Sequence, residues 1–431
     1  MSRTRVGLVC GYLDPRRDGV AAYTMRLASH LATTGFELVV LTTHELAQAD
    51  ERAAGVARRW DARGVAAAAR AVSRLDIDLV HVQFAPSVFG FSRAVGLLPL
   101  FLPERIPLIV TLHEYGVWSG NGPGRKLRSA LWSAAERRGY ADRETLLLAA
   151  RAACVLVPSA EHVDELRARF GRLTPATREV PIGLNVAVAT GERETVRADV
   201  RRALGAAPDA PVVVFFGFLH PQKALDQLIA AVASVRAQQP DIQLLLVGGA
   251  VSHSVPSAAA HQLRQELKQV AAACGIQDQV HFTGYVPDAE VSRLLRAADV
   301  AAFPFDAGVT RKSSSVLTAH AVGLPVVATH PPGDVRRAGE AHGVLWVRPG
   351  EAVELADALR RVLNDRGLAD RLAAAGRIRA ASQSWDGIAA AHAEIYAEAC
   401  AAHQSGESTG MPEPSRVVPS HAAGGDTDGT A

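Results

Sequence analysis

The sequence contains little cysteine and carries little net charge. Its four cysteines lie far apart, at Cys10, Cys154, Cys274 and Cys400. This spacing excludes the close pairs of a zinc site and the density of a disulfide scaffold, and it indicates a reducing compartment. The 46 Lys and Arg residues nearly balance the 44 Asp and Glu residues, so the formal net charge is only +2. Because nucleic-acid binding needs a concentrated basic face, we expect small-molecule partners and no nucleic acid.

Long apolar runs are also missing. The most apolar stretch, residues 94–102, is well short of the roughly 20 residues that are needed to span a bilayer. The first residues, MSRTRVGLVCGYLDP, pass directly into strand-like sequence without the apolar core or the small-residue cleavage site of a signal peptide. We therefore expect a cytoplasmic protein without a membrane-spanning segment.

The sequence does contain enough apolar material for two ordinary cores. Its 431 residues, 48% of them hydrophobic, exceed a single domain of about 150 residues. Short segments rich in Val, Ile and Leu alternate with longer segments of helical periodicity, which is typical of βαβ units around a buried parallel sheet. The predicted fold class is therefore α/β. Strands are predicted at residues 6–10, 37–41, 79–83, 108–112 and 154–157, and then at 212–216, 243–247, 280–283, 300–303, 326–328 and 344–347.

Polar sequence separates the two series of strands. We predict a first domain over residues 1–185, a linker over 186–210 and a second domain over 211–384. Ligands of doubly wound domains lie outside the carboxyl ends of the strands, so the cleft between the domains is the expected site. Residues 403–431 are rich in Gly, Ser and Pro, lack periodicity and are predicted to be disordered.

Three segments place candidate residues at the predicted carboxyl ends of strands. Gly19 precedes a helix whose free amides favour an anion such as pyrophosphate, and the alternative is a glycine that serves only a tight turn. His113 in LIVTLHEYG can bond a sugar hydroxyl or a leaving phosphate, and the alternative is a structural histidine, as for His81. Lys223 in GFLHPQKALDQLI suits a diphosphate leaving group, and the alternative is a solvated lysine.

The segment FPFDAGVTRKSSSVLTAHAVGLPVVAT combines most of these features. Its loop carries Asp306, Arg311 and Lys312, and serines 313–315 are natural N-caps of a short helix that ends at Gly323. An arginine fork, a lysine, hydroxyl groups and a helix N-terminus within a few residues favour an oxyanion site over a solvated loop. Diphosphate is the expected ligand.

Taken in order, these motifs resemble those of the retaining glycosyltransferases of family 4, which have the GT-B fold of two facing Rossmann-like domains. The resemblance covers residues 5–402 and includes DLVHVQF, LIVTLHEY, EVPIGLN, VVFFGFLHPQKALDQLI, IQLLLVGG and AHAVGLPVVAT. It implies a GT-B fold with a central interdomain cleft and a last helix, at 385–402, that crosses back onto the first domain. It also implies sugar transfer from a nucleoside diphosphate donor with retention, without a cofactor or metal held by the protein.

The resemblance further implies roles for single residues. Gly19 would approach the donor diphosphate, His113 would lie beside the transferred sugar, and residues 284–286 would border the base. Lys223 and the amides of Ser313 and Ser314 would neutralise the phosphates. We assign catalysis to His113, Lys223 and Arg311, and donor binding to Gly19, Gly217, Tyr285, Asp306, Thr310, Ser313, Ser314 and Thr318.

The chain departs from the family pattern at the donor site. The family commonly has two glutamates eight residues apart, which contact the sugar and the ribose, where this chain has Thr310 and Thr318. An arginine commonly follows the glycine after the second domain's first strand, but this chain has Phe218 there, so Arg311 is the expected substitute. We interpret the segment as a variant donor site.

Three functions are compatible with this sequence. One is a glycosyltransferase whose acceptor is a sugar, a lipid-linked group, a polysaccharide or a small molecule. The others are a nucleotide-sugar binding protein without transfer activity and a nucleotide-sugar epimerase on the same fold. Residues 125–140, RKLRSALWSAAERRGY, predict either a basic amphipathic helix in peripheral contact with the inner membrane face or a solvated helix with one core-facing stripe.

Overall fold

The computed structural model describes residues 3–116, 125–188, 192–249, 257–310, 313–331 and 339–405. The first part of the chain forms a seven-stranded parallel sheet. Its strands are β1 (Arg5–Val9), β2 (Glu37–Thr43), β3 (Ala53–Ala57), β4 (Leu79–Phe84), β5 (Leu108–Leu112), β6 (Cys154–Val157) and β7 (Thr177–Glu179). They pair in the order β3-β2-β1-β4-β5-β6-β7. This order puts β1, β4 and β5 side by side in the middle of the sheet.

A second seven-stranded sheet follows along the chain. Its strands are β8 (Val212–Phe216), β9 (Gln243–Val247), β10 (Val280–Gly284), β11 (Val300–Phe303), β12 (Val326–Thr329), β13 (Gly339–Ala341) and β14 (Val344–Val347). They pair in the order β10-β9-β8-β11-β12-β14-β13, and β13 is antiparallel to β14. The central strands β8 and β11 carry the segments with the candidate donor residues.

These sheets confirm the predicted α/β fold of two Rossmann-like halves. Each strand predicted from an apolar run is present to within two residues. Three edge strands, β3, β7 and β13, were not predicted, because their sequences AAGVA, TRE and GEA contain no run of large apolar residues.

Helices connect the strands and cover both sheets. They are α1 (Gly19–Leu31), α2 (Ala62–Arg74), α3 (Arg125–Arg137), α4 (Leu148–Arg151), α5 (Ala160–Phe170), α6 (Arg193–Ala203), α7 (Leu225–Arg236), α8 (Ser257–Ala273), α9 (Asp288–Ala297), α10 (Ser314–Ala321), α11 (Ala352–Asn364), α12 (Arg366–Ala381) and α13 (Trp385–Gln404). Within the described ranges, none of them is both long and apolar enough to cross a bilayer. Most of the segment predicted to be disordered, from residue 406 onward, lies outside the described residues.

Each sheet has its own apolar core. The first core combines residues between Val6 and Val180 with Trp385, Ile395 and Tyr396 of α13. The second core contains residues from Val186 to Leu372. We call the first sheet with its helices and α13 the first unit, and the second sheet with its helices the second unit. The last helix thus returns to the first unit after the chain has passed through the second.

The predicted linker contains α6, and this helix packs against the second unit. Arg201 of α6 is only 1% exposed. Its guanidinium donates to the carbonyl of Ala297 at 2.9 Å and forms an ion pair with Asp299 at 2.7 Å. Arg193 donates to the carbonyl of Ala298 at 3.0 Å. A buried guanidinium is tolerated only when its donors are satisfied in this way, so these contacts fix α6 to the second unit.

Candidate active site

Two segments from different units meet at the candidate site. Arg26 of α1 forms an ion pair with Asp288, the first residue of α9, and its Nε donates to the carbonyl of Asn185 at 3.0 Å. Tyr285 lies just before α9 and is 53% exposed. Burial raises the pKa of Tyr285, and the carboxylates of Asp288 and of Asp14 in the first unit raise it further. The β1–α1 loop therefore lies opposite the loop after β10.

Gly19 is the first residue of α1 and has space beside it. A Cβ atom added at Gly19 would have no atom of the described residues within 4 Å. The amides of Val20 and Ala21 donate to the carboxylate of Asp18, at 2.8 and 2.9 Å. This corrects the prediction of free amides at this helix terminus, because the N-cap Asp18 already bonds two of them. The close approach expected of Gly19 thus depends on its missing side chain rather than on a row of free amides.

His113 follows β5 directly and is 9% exposed. Its backbone N–H donates to the carbonyl of Phe84 at 2.8 Å, which continues the ladder between β4 and β5. Its ring Nε2 lies 2.8 Å from Oε1 of Gln83, and the ring packs edge-on against Tyr23 of α1, with 4.9 Å between centroids. The side chain is therefore held by β4 and α1 at the carboxyl end of the sheet.

His81 is fully buried and has structural partners. Its Nδ1 lies 2.6 Å from the hydroxyl of Tyr396 in α13, and its Nε2 lies 2.7 Å from the hydroxyl of Thr111. Burial lowers the pKa of His81 well below its ordinary value. These contacts agree with the structural alternative for this histidine.

Lys223 ends a single helical turn before α7 and is half-buried. Its ammonium nitrogen lies 3.5 Å from the centroid of the Phe305 ring, in the loop after β11. Burial lowers the pKa of Lys223 to about 8. The amide of Asp306 donates to the carbonyl of Gln222 at 3.1 Å, which holds the lysine turn against this loop. Asp306 itself is exposed.

The end of β8 lies against the N-terminus of α10. Gly217 has φ +146°, and a Cβ atom there would lie 3.2 Å from Oγ of Ser315. Ser313 is the N-cap residue of α10, and its amide donates to the carbonyl of Thr310 at 3.2 Å. The Ser313 side chain makes no cap hydrogen bond, so the expected cap by a serine hydroxyl is not formed here. The end of β8 at Gly217 nevertheless lies against the first turn of α10, through Ser315.

The two threonines at the family's glutamate positions have different environments. Thr310 is half-buried in the loop before α10. Thr318 is fully buried, and its hydroxyl donates to the carbonyl of Ser314 at 2.8 Å, one turn earlier in the same helix. Its hydroxyl is thus used within α10 rather than presented at the surface. Arg311, which we assigned to catalysis, and Lys312 lie outside the described residues.

At the carboxyl ends of β8 and β11, Gly217 lies against Ser315 of α10, and the turn that ends at Lys223 lies against Phe305 and Asp306. An ammonium group and a helix N-terminus each favour a bound anion, since each presents positive charge. Sequence reasoning assigned no role to Gln83 and Phe305, the partners of His113 and Lys223. Both lie in motifs quoted above, but a motif does not show which side chains meet across the fold. In the described part of the chain, no group of three or more His, Cys, Asp or Glu side chains is placed to hold a metal ion.

Two family models match the chain. The model for glycosyltransferase family 4 matches residues 17–188, and the model for glycosyl transferases group 1 matches residues 196–379. One match covers the first sheet from α1 onward, and the other covers the second.

Several curated relatives are D-inositol 3-phosphate glycosyltransferases. The one from Nocardia farcinica is 29% identical over 327 residues, which are 75% of this chain and 66% of the relative. The one from Actinosynnema mirum is 28% identical over 400 residues, 85% of this chain and 89% of the relative. A third, from Salinispora arenicola, is 33% identical over 50% of this chain and 47% of the relative. Several of these matches thus span only about half to two thirds of the relatives' length.

Solved structures share the fold. Sucrose-phosphate synthase from Thermosynechococcus elongatus superposes with a TM-score of 0.69 at 22% identity, over 93% of this chain and 100% of that one. HepE from Anabaena, in complex with UDP and glucose, superposes with a TM-score of 0.68 at 19% identity, over 92% of this chain and 100% of that one. These likenesses show the GT-B fold, and the two family matches, which together extend over most of residues 17–379, show that the chain belongs to the glycosyltransferases of family 4.

Proposed function

We propose that this protein transfers a sugar from a nucleoside diphosphate sugar to an acceptor hydroxyl with retention at the anomeric carbon. Two contacts at the carboxyl ends of β8 and β11 support this proposal: Gly217 lies against Ser315 of α10, and the Lys223 ammonium lies against the Phe305 ring. A diphosphate is the anion that this arrangement suits best, because it offers several charged oxygens to one ammonium group and to backbone amides.

The proposed reaction breaks the bond between the anomeric carbon and the diphosphate oxygen. Negative charge then grows on the departing diphosphate, where the Lys223 ammonium and the α10 amides would stabilise it. The acceptor oxygen forms its bond to the anomeric carbon on the same face, and its proton passes to the departing phosphate oxygen. From the sequence, Arg311 would add a second cation on the phosphate side.

His113 would orient the transferred sugar from the first unit. It lies at the carboxyl end of β5, and its ring is held by Gln83 and Tyr23. A fixed imidazole can bond a sugar hydroxyl without losing rotamer freedom when the sugar binds. Gly19 would let the donor diphosphate approach the start of α1, since a side chain is absent there.

Donor and acceptor classes follow from the comparisons. HepE was solved with UDP and with UDP-glucose, so uridine diphosphate sugars are the first donors to try. The names of the curated relatives make an inositol phosphate the first acceptor to try. We propose a cytoplasmic location for the reaction.

A donor and acceptor screen tests this proposal. Purified protein is incubated with a panel of nucleoside diphosphate sugars and acceptors, and the products are identified by mass spectrometry and NMR, which also gives the anomeric configuration. Lys223→Ala and Arg311→Ala are each expected to lower kcat/KM, with Lys268→Ala, an exposed lysine of α8, as the control. Donor binding without transfer or hydrolysis would favour the binding protein, and a donor with an inverted sugar carbon would favour the epimerase.

We also propose that α3 contacts an anionic lipid surface. Leu131 of α3 is 64% exposed, and exposed Arg137 and Arg138 lie on and after the helix. The guanidinium of Arg93 lies 5.9 Å from the ring centroid of Trp132. Leu131→Asp should then weaken co-sedimentation with anionic vesicles. Ile378→Asp, which changes an exposed apolar residue of α12, should not. Equal co-sedimentation of the wild type, Leu131→Asp and Ile378→Asp would favour the solvated helix. Absence of wild-type co-sedimentation with anionic vesicles would do the same.

A further inference from the structure

A row of buried polar side chains connects the candidate site with the terminal helix. On β4, His81 and Gln83 are two residues apart and therefore lie on the same face of the sheet. Thr111 of β5 and His113, the residue after this strand, are also two residues apart. The strands β4 and β5 are paired. His81, Gln83 and Thr111 are at most 5% exposed. The row is contacted by Tyr23 of α1 and by Tyr396 of α13.

Gln83 is the central member of this row. Its Oε1 lies 2.8 Å from Nε2 of His113. Its Nε2 lies 3.1 and 3.3 Å from the two ring nitrogens of His81. A buried amide without partners would be costly, so both ends of the Gln83 side chain are fixed by these neighbours.

His81 is itself held at both ring nitrogens, by the hydroxyls of Tyr396 and Thr111. The His81 ring is therefore held in one orientation, and the amide nitrogen of Gln83 packs against it. The amide oxygen of Gln83 then faces His113. With the Gln83 amide in this orientation, its oxygen only accepts, so the 2.8 Å bond requires a proton on Nε2 of His113. In the neutral ring, the lone pair then resides on Nδ1.

We propose that Gln83 is a positioning residue that fixes the ring orientation of His113 and keeps its proton on Nε2. This inference rests on the proposed function, in which His113 lies beside the transferred sugar. The tautomer determines which ring nitrogen donates and which accepts, so it determines how a sugar hydroxyl must be oriented at this histidine. Through His81, the same row makes α13 a support of the site in the first unit.

Substitution at Gln83 separates positioning from folding. Gln83→Met has nearly the same volume and removes the acceptor, while Gln83→Glu keeps an oxygen in its place. The chain offers a matched control in the second sheet, where Oε1 of Gln243 lies 2.8 Å from Nε2 of His281. Gln243 is the first residue of β9, so this pair lies at the opposite end of its sheet from the candidate site. Gln243→Met removes the same kind of bond away from the cleft.

The first readout is the tautomer of His113, measured by NMR of ¹⁵N-histidine-labelled protein. The His113 signals are identified by their loss in His113→Asn. We expect a protonated Nε2 in the wild type and in Gln243→Met, and a mixture of tautomers in Gln83→Met. A wild-type His113 with its proton on Nδ1, or an unchanged tautomer in Gln83→Met, would overturn the proposal. The wild-type measurement decides even where a Gln83 variant does not fold.

The second readout is turnover with the donor and acceptor found in the screen. We expect Gln83→Met to lower kcat by about 10- to 100-fold with donor KM changed by less than about 3-fold, because a misaligned group affects the reacting geometry more than ground-state binding. Gln83→Glu should recover most of the loss, and Gln243→Met should match the wild type. Wild-type kcat in Gln83→Met would overturn the positioning role. The NMR readout needs no substrate, so the expected tautomer without any turnover would count against the proposed function alone.

Discussion

Arg26 of α1 and Asp288 of α9 form an ion pair that joins the two units, and Arg26 also donates to the carbonyl of Asn185 in the chain segment between them. The two side chains are partly exposed, at 28% and 48%. One arginine thus contacts both the second unit and the segment that leads to it. The pair lies beside Tyr285, at one edge of the candidate site.

Reversing one charge of this pair should separate the units. Arg26→Asp places two carboxylates together, and we expect a larger radius of gyration in small-angle X-ray scattering. Arg26→Asp with Asp288→Arg should restore the wild-type value. The effect on the free energy of unfolding should be about 1 kcal/mol or less, because partly exposed pairs are screened by water. Arg293→Asp, which breaks an ion pair within α9, is the control, and the same expansion in this variant would contradict the prediction.

The pKa of Lys223 predicts how nucleotide binding depends on pH. Burial lowers this pKa to about 8, so the free protein loses the ammonium charge as the pH rises through that value. We expect the Kd for UDP to be constant from pH 7 to about 7.5 and then to rise by up to about tenfold per pH unit. Isothermal titration calorimetry between pH 7 and 9.5 measures it.

Substitution tests whether Lys223 causes this dependence. Lys223→Met should weaken UDP binding about 10- to 100-fold at pH 7 and remove the alkaline rise, since a charge-assisted contact is lost. Lys223→Arg should keep its charge throughout and flatten the profile. The neighbouring His220, whose pKa is lowered by burial and by Lys223, titrates below this range. An alkaline rise that persists in Lys223→Met would assign it to another group.

Gly19 offers a substitution whose effect on folding and on binding should differ. Its added Cβ would meet no atom of the described residues within 4 Å, so Gly19→Ala should leave Tm unchanged or raise it. A diphosphate in close contact with the backbone would collide with the new methyl group. We therefore expect a UDP Kd at least about tenfold higher, which corresponds to about 1.4 kcal/mol.

Gly367→Ala is the control for Gly19→Ala, because Gly367 also lies in the first turn of a helix, α12. A Cβ added there would lie 3.3 Å from Oδ1 of Asp365 and 3.6 Å from Nη1 of Arg371, both in side chains. Gly367→Ala should change Tm by no more than a few degrees. It should leave the Kd for UDP unchanged. A Gly19→Ala protein with wild-type affinity would show that the donor does not approach α1 as proposed.

Buried histidines predict a loss of stability in acid. Burial lowers the pKa of His392 in α13 from 6.5 to about 4, and that of His320 in α10 to about 4 as well. Below pH 6.5 the unfolded chain binds protons that the folded chain excludes. The free energy of unfolding should therefore decrease as the pH falls from 6.5 to 4, by up to about 1.4 kcal/mol per pH unit for each histidine.

His392→Phe should make the free energy of unfolding depend less steeply on pH, by about the contribution of one histidine. Phenylalanine does not titrate and has a similar shape. Urea denaturation at several pH values between 7 and 4.5 measures it. The exposed His261, changed in the same way, should leave the slope as it is. Parallel stability curves for the wild type and His392→Phe would mean that His392 is protonated at no cost in the folded protein.

The strands were predictable from the sequence, and the contacts around single residues were not. Runs such as VVVFF and LIVTL are apolar on both faces, which is sufficient to identify buried parallel strands. His113 and Lys223 were found because each follows such a run. Their partners Gln83 and Phe305 come from β4 and from the loop after β11, and spacing along the chain does not predict contacts between such distant segments.

Two other details depended on local geometry. The sequence predicts amides free to bind an anion at the start of α1, but the side chain of Asp18 accepts hydrogen bonds from two of them. Thr318 occupies a family glutamate position, but its hydroxyl donates to the carbonyl of Ser314. Threonine commonly forms this hydrogen bond to the carbonyl four residues earlier in a helix. Neither outcome follows from residue type alone.

The chain crosses between the units twice, once between Ile182 and Val186 and once between Leu372 and Trp385, as the membership of the two cores shows. The indole of Trp385 donates to the carbonyl of Leu184 at 2.6 Å, so the two crossings are fastened to each other. If the two units rotate relative to each other, we expect the axis of rotation to lie near this bond. A larger residue at position 183 would place its Cβ 2.6 Å from the indole of Trp385 and would displace the contact between the two crossings.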